Sequence, residues 1–262
     1  MTRPTSIQPV SIGPLASTHR FARSSAVCCS YCHREITGTY KYNDWGAFCP
    51  QCEAKSQDCR FCHRRVLAGE GDNANGSFQG VRCPVCRDFG VDSVATVEPI
   101  TRFIVPWLLD QGIQLTASFK FKLCAEYDMP KTSRQKVLGV STNTTWTQDG
   151  RPVRRVANGI YILRGMPSIL CCGVIIHELG HAWLAMQQVA GLPSWAEEGF
   201  CNYLEHRFYA AFSSPQHDHY RRSTETDQDP VYGDGFRYVY ARAQQLGHAG
   251  LIQALIERRA MP

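Results

Sequence analysis

The chain has 262 residues, 44% of them hydrophobic and 19% charged, a formal net charge of +5 and thirteen cysteines. The length fits one large domain or two modest ones, and the distribution of cysteine favours at least two. The mild charge argues against binding nucleic acid, which needs many phosphate contacts from a clustered basic face.

Residues 1 to 27 contain no Asp or Glu, several Ser and Thr, scattered Arg, and Pro4, Pro9 and Pro14. Such a stretch cannot bury a core and is predicted to be a disordered tail. It holds no apolar run long enough for a secretory signal or a membrane span, so a reducing, cytoplasmic setting is expected; its Arg- and Ser-rich, acid-poor composition also fits an organellar transit peptide.

Residues 28 to 92 carry four CxxC pairs: Cys29/Cys32, Cys49/Cys52, Cys59/Cys62 and Cys83/Cys86. Two intervening residues let a tight turn point both thiolates at one ion, so four pairs predict two structural zinc sites of four thiolates each. A disulfide framework would expect a secretory signal. The segment repeats internally, CSYCHREITGTY against CRFCHRRVLAGEG, and modules with so few apolar residues fold when metal supplies binding energy. His33 and His63 follow ligand cysteines in both copies and are read as surface or supporting groups. The remaining cysteines, Cys28, Cys124, Cys171, Cys172 and Cys201, read as small buried hydrophobes, with Cys28 an alternative ligand. Residues 1 to 92 hold 11 Lys and Arg against 8 Asp and Glu without a basic stripe, so these treble-clef-type modules are expected to engage protein and not nucleic acid.

From about Val94 the CxxC pairs stop and longer apolar segments begin, marking a second domain over 94 to 262. Ile104 to Leu109 reads as a short helix. Thr116 to Cys124 alternates in the manner of a half-buried strand, and Val137 to Trp146 and Val153 to Leu163 read as further strands around the turn signal at 148 to 152. Strands followed by helices predict an α+β fold. Gly159 to Leu163, running straight into the next helix, is the expected edge beside a cleft, open to an extended peptide as one more strand.

The segment IIHELGHAWLAMQQ then carries His177, Glu178 and His181. At helical spacing both imidazoles lie on one face while Glu178 sits about 100° round, the HExxH zinc-hydrolase pattern. The helix is apolar nearly all round and should lie in the core, where two imidazoles and a carboxylate are costly without a cation. A third protein ligand must follow, leaving a position for water. In SWAEEGFCNYLEHRFY, Ser194 and Glu197 form an expected capping box, which leaves Glu198 as third ligand and the small Gly199 for close approach to the first helix. Residues 213 to 230 read as a polar loop with His217 and His219 as solvated side chains, and two helices close the chain, about Asp234 to Leu246 and Gly250 to Arg259.

This ligand set points to zinc-assisted peptide hydrolysis. Glu178 is the expected general base, Tyr232 the expected donor to the oxyanion, and Asn202, one turn after Glu198, the expected orienter of a ligand histidine.

The order of parts resembles the growth-controlling LIM-type metallopeptidases of plants and their bacterial relatives, in CSYCHREITGTY with the later CxxC pairs, HELGHAW at 177 to 183, EEGFCNYL at 197 to 204 and YGDGFR at 232 to 237. The resemblance implies a gluzincin-like zinc peptidase domain behind a LIM-like region, with His177, His181 and Glu198 as ligands and Glu178 as base. The chain departs from a standard LIM domain in having Cys49 where a His is usual and six residues, Glu53 to Asp58, between modules. Residues 1 to 27 also lack the acidic run of the plant members' ubiquitin-binding helices. The alternative expectation is a zinc-dependent interaction scaffold, inactive or latent as a peptidase.

Overall fold

The structure, a computed structural model, describes residues 26–131, 137–258 and 260–262, with Arg151 and Pro152 described by backbone alone. The expected N-terminal tail lies outside the described residues except for Ala26 and Val27. The chain divides into two compact units, 1–49 and 50–262.

In the first unit a two-stranded antiparallel hairpin, β1 (Lys41–Asn43) and β2 (Gly46–Phe48), pairs Lys41 with Phe48 and Asn43 with Gly46. Ahead of it, Cys29 N donates to Arg34 O at 2.9 Å and His33, at φ 57°, donates its N–H to Cys29 O at 2.9 Å. Three thiols of the first group lie here: Cys49 N donates to Cys29 Sγ at 3.5 Å and the Cys32 and Cys49 sulfurs are 3.9 Å apart. Cys28 is exposed, so it is not the buried hydrophobe expected of it.

The second unit opens with the short helix α1 (Pro50–Ala54), which carries Cys52, and continues into the hairpin of β3 (Ser56–Asp58) and β4 (Arg65–Leu67). The internal repeat of the sequence is a repeat of backbone. Cys59 N donates to Arg64 O at 2.7 Å and His63, at φ 58°, donates to Cys59 O at 3.0 Å. Helix α2 (Pro84–Asp88) is capped by a ligand-type cysteine, Cys83, whose sulfur accepts from Cys86 N at 3.4 Å.

Helix α3 (Val94–Asp110) is much longer than the short helix expected at 104 to 109. Its Val97, Ile100, Ile104 and Leu108 fall on one buried stripe at helical spacing, and the helix runs through Pro99 and Pro106. A three-stranded sheet follows, formed by β5 (Phe121–Cys124), β6 (Gly139–Gln148) and β7 (Arg151–Leu163) in the order β5-β7-β6. β5 is parallel to β7 and occupies only the end of the predicted strand, whereas β6 and β7 are antiparallel. Asp149 and Gly150 join β6 to β7 with φ of 52° and 72°, the left-handed pair that matches hairpin twist. β7 is therefore the central strand, and the expectation that 159–163 forms the edge beside the cleft is corrected. Among the described residues β5 and β6 are its two outer strands, and β6 is the one that borders the cleft.

Helix α4 (Ser168–Met186) packs against this sheet and is buried along almost its whole length. Each fully buried Leu or Ile on it contributes on the order of 2 kcal/mol. Among the described residues it is the one helix long and apolar enough to cross a membrane, but its apolar window is 78% buried within the protein. Helix α5 (Ser194–Ala210) lies against α4, α6 (Pro215–Thr226) against α5, and α7 (Gly233–Arg258), kinked at Gly247, against α5. The polar loop expected at 213 to 230 is thus largely helical, started by a Ser214 cap that accepts from His217 N at 3.3 Å and by Pro215 in the first turn.

Candidate metal centre

Of the two expected four-cysteine sites, Cys59/Cys62/Cys83/Cys86 lies wholly in the larger unit and has the ligand type and number of a structural zinc site, while Cys29, Cys32 and Cys49 gather within the smaller unit. The former is fully buried: Cys62 and Cys83 sulfurs are 3.7 Å apart, and Cys83 N donates to Cys59 Sγ at 3.3 Å. Thiolate charge held by backbone N–H groups is the arrangement a divalent ion requires.

A third cluster joins α4 to α5. His177 Nε2 and His181 Nε2 are 3.3 Å apart, and Glu198 Oε2 lies 3.1 Å from the first and 3.4 Å from the second. The outer nitrogens of the two rings face carboxylates. His181 Nδ1 is 2.9 Å from Glu197 Oε1, which also accepts from Arg155 of β7 at 2.6 Å; His177 Nδ1 is 3.6 Å from Glu205 Oε2. An Nδ1–H donated outward leaves the Nε2 lone pair for a metal.

This donor set fits zinc. Burial lowers the pKa of both histidines, yet Glu198 and Glu205 around His177, and Cys201, Glu197 and Glu198 around His181, raise them well above the ordinary value. A site whose acids stabilise protons on buried imidazoles so strongly has the electrostatics for a cation. Cys201 also gathers here, its sulfur within 4.8 Å of ligand nitrogens of both histidines. The residue stands three after Glu198, on the same face of α5, and it is buried as expected of a small hydrophobe. Glu198 lines the cleft, whereas Cys201 is buried.

The cleft over this cluster measures about 410 Å³ and is walled on one side by 137–141 at the start of β6 and on the other by α4, α5 and Tyr232. Glu178 is 6% exposed and faces Gly139 and the backbone of Ser141. Burial pushes its carboxyl pKa up. The Tyr232 ring stacks near-parallel to His177 with centroids 6.5 Å apart.

Three expectations change at this site. Ser194 does not cap α5; Pro193 occupies the N-cap, and Glu197 is committed to His181 and Arg155. Asn202 donates to Tyr232 O at 3.1 Å, fixing the loop that carries Tyr232 and not a histidine ring. Gly199 gives close approach to Gly235 of α7, not to α4.

The fold is mixed α+β, and its cysteine clusters are consistent with LIM-like zinc modules. Residues 122–223 match the model of a DA1-like family, described as Protein DA1. The chain is 29% identical over 106 residues to Protein DA1 of Arabidopsis thaliana, a match covering 30% of this chain and 20% of that protein. Protein DA1-related 1 of the same plant is 28% identical over 123 residues, covering 35% of this chain and 22% of that one. The LIM domain-containing protein HDR3 of Oryza sativa subsp. japonica is 21% identical over 295 aligned residues, covering 84% of this chain and 58% of its own length. The chain thus spans about a fifth of the Arabidopsis relatives and somewhat over half of the rice one. No solved structure matches.

Proposed function

We propose that the chain is a zinc-dependent metallopeptidase of gluzincin type, with LIM-like zinc modules that engage protein partners. The observation that carries this reading is the convergence of His177 Nε2, His181 Nε2 and Glu198 Oε2 to within 3.1–3.4 Å of one another beside a buried glutamate. Zinc held by these three residues supplies Lewis acidity, bringing the pKa of water toward neutrality and polarising a carbonyl.

The chain's own residues do the rest. Glu178 accepts the proton of the attacking water and returns it to the leaving amine, its carboxylate held in the cleft wall against Gly139 and Val174. Glu197, backed by Arg155, and Glu205 hold the imidazoles in one tautomer and one orientation. Tyr232 stands beside His177 as donor to the oxyanion of the tetrahedral intermediate. The outer strand β6, whose start lines the cleft, aligns an extended peptide by backbone hydrogen bonds, the role first expected of 159–163.

A zinc-dependent interaction role without turnover is the second reading, favoured by the two four-cysteine groups and by the likeness to a LIM domain-containing rice protein. Mapping new N-termini in a peptide mixture after incubation with wild type and with Glu178→Gln separates the two. Cleavage by wild type alone supports the peptidase. No cleavage by either, with about three zinc ions per chain by metal analysis, supports the scaffold.

A further inference from the structure

Beyond the cleft the sheet narrows. β5 pairs with residues 160–163 of β7, so among the described residues the stretch 143–157 is a ribbon of two strands, β6 and β7. A two-stranded ribbon is marginal in water by itself. This one is fastened on its β7 side: Gln188 donates from Nε2 to Arg155 O at 3.0 Å and accepts from Arg155 N at 3.2 Å, so its side chain stands where a neighbouring strand would. The same two bonds fix which way β6 faces. Arg155 points its N–H and C=O away from β6, so Thr145, its cross-strand partner, belongs to a non-hydrogen-bonded pair and points its own N–H and C=O away from β7. Asn143, two residues earlier, does likewise, and it lines the cleft. Among the described residues no further backbone segment bonds to either.

The ribbon is also basic. Residues 139–163 hold three Arg against one Asp. Arg155 is matched by Glu197, whereas Arg154 lies over the ring of Trp146 at 5.1 Å, and that ring is 45% exposed. Trp146 and Arg154 are cross-strand partners one step past Thr145 and Arg155, so they share the face of the ribbon opposite to Arg155. A guanidinium over an aromatic ring keeps its N–H edge available for a carboxylate.

We infer that a polypeptide reaching the cleft continues along β6 as an added strand past Thr145, and that Arg154 and Trp146 form a distal subsite for one of its acidic side chains. The outward backbone groups of Asn143 and Thr145 supply the strand bonds. Side chains of the added strand alternate, one set toward the cleft and the other toward the face of Trp146 and Arg154. Charge complementarity selects the occupant, an extended acidic segment of a protein. Ser141, which lines the cleft, and Trp146 are five positions apart. At strand rise that is about 17 Å, which puts the preferred acidic residue about five positions from the metal centre. The inference rests on the proposed function for the place of the scissile bond, but the binding it describes needs no cleavage.

Fluorescence anisotropy tests it on the zinc-loaded full chain carrying Glu178→Gln, so that bound peptide is not consumed. The probes are three fluorescein-labelled peptides with one Ser- and Thr-rich body, long enough to span the strand, and a pair of Glu, Gln or Lys at both ends, so that either strand direction presents them. The Glu peptide is expected to bind about tenfold more tightly than the Lys peptide. Arg154→Gln should level that order and Arg154→Glu should reverse it. Thr145→Pro removes one outward N–H and leaves the ladder to β7 whole, so it should weaken all three peptides alike, by several-fold. Equal binding of the Glu and Lys peptides, an order unchanged in either Arg154 variant, full-strength binding by Thr145→Pro, or no binding of any peptide overturns the inference. So does a labelled oligothymidylate that binds more tightly than the Glu peptide, since the ribbon would then be a nucleic-acid site. If circular dichroism finds Thr145→Pro unfolded, Glu peptides N-methylated at alternate residues replace it: lost binding in one of the two registers supports strand addition, and loss in neither overturns it. Should wild type bind the Glu peptide as expected yet release no new N-termini from a peptide mixture, the peptidase reading falls and the subsite stands.

Discussion

Glu197 and Glu198 are consecutive residues with separate tasks, because one helical step turns a side chain by about 100°. Glu198 reaches the two Nε2 atoms, while Glu197 reaches the far side of His181 and Arg155. Local sequence rules name both carboxylates but give Glu197 to a cap, since they cannot see that Pro193 already starts the helix. Gly139 is as decisive and less visible. A methyl at its Cα would lie 2.6 Å from Val174 Cγ1 and 2.8 Å from Glu178 Oε1, so the first residue of β6 is small to leave the glutamate its place. Gly139→Ala should therefore displace the Glu178 carboxylate by a fraction of an ångström to an ångström. On the proposed peptidase reading, the expected result is a fall in kcat/KM of about tenfold to a hundredfold with the zinc content of the chain unchanged. Steady-state kinetics beside metal analysis checks it, and a parallel loss of zinc would mean that the histidines, not the base, had moved.

At the scale of elements, the two histidines ride on a helix whose apolar surround marks it as a core helix, and this was fully legible from residues 168 to 186. So was the β6–β7 hairpin, whose Asp149-Gly150 turn is a local signal. Strand order was not legible, because nothing near residues 159–163 announces that 121–124 returns parallel beside them. Helix α6 was missed for a different reason. Its residues are polar, and its pairs of Arg221 with Asp218 at 3.7 Å and with Glu225 at 2.7 Å look like loop composition unless read at helical spacing. Packing between helices follows the same division. The contact of Gly199 with the backbone of Gly235 joins α5 to α7 across 36 residues, which spacing alone does not reveal. Neither backbone can yield as a side chain would, so Gly199→Ala should destabilise the unit by about 1–3 kcal/mol. Denaturant unfolding reads that loss as a lower midpoint at an unchanged slope.

At the scale of the larger unit, 50–262, the second cysteine module is fastened to the rest by backbone and by one buried cation. Val91 N donates to Met166 O at 2.8 Å, Gly165 N to Val91 O at 3.0 Å and Ser168 N to Phe89 O at 2.9 Å, so the end of the module is paired with the entry to α4. Arg82, 2% exposed, binds Asp72 at 2.8 Å and Asp92 at 2.9 Å and donates to Gly165 O at 3.1 Å. Arg82→Ala should cost about 3 kcal/mol, at the low end for a broken buried pair because both aspartates reach solvent. The hydrogen bond from Arg82 holds the Asp72 carboxyl below its ordinary pKa of 3.8. A depressed folded-state pKa gives stability that is complete above the unfolded value and is lost as pH falls through the folded one, so this contribution disappears only in acid below about pH 4. Metal removal tests the fastening as a whole. If zinc gathers Cys59, Cys62, Cys83 and Cys86, as their grouping suggests, the fold of the module depends on that ion. Were it a separate bead, chelation at neutral pH would melt it alone and leave the main transition of the unit where it was. Because its far end is hydrogen-bonded to the strand-to-helix junction that aims α4, chelation should instead lower that main transition by several degrees, following the scaling of about 2–4 °C per kcal/mol for a unit of this size. Calorimetry of the full chain before and after chelation, with zinc added back to restore the original curve, distinguishes the two outcomes.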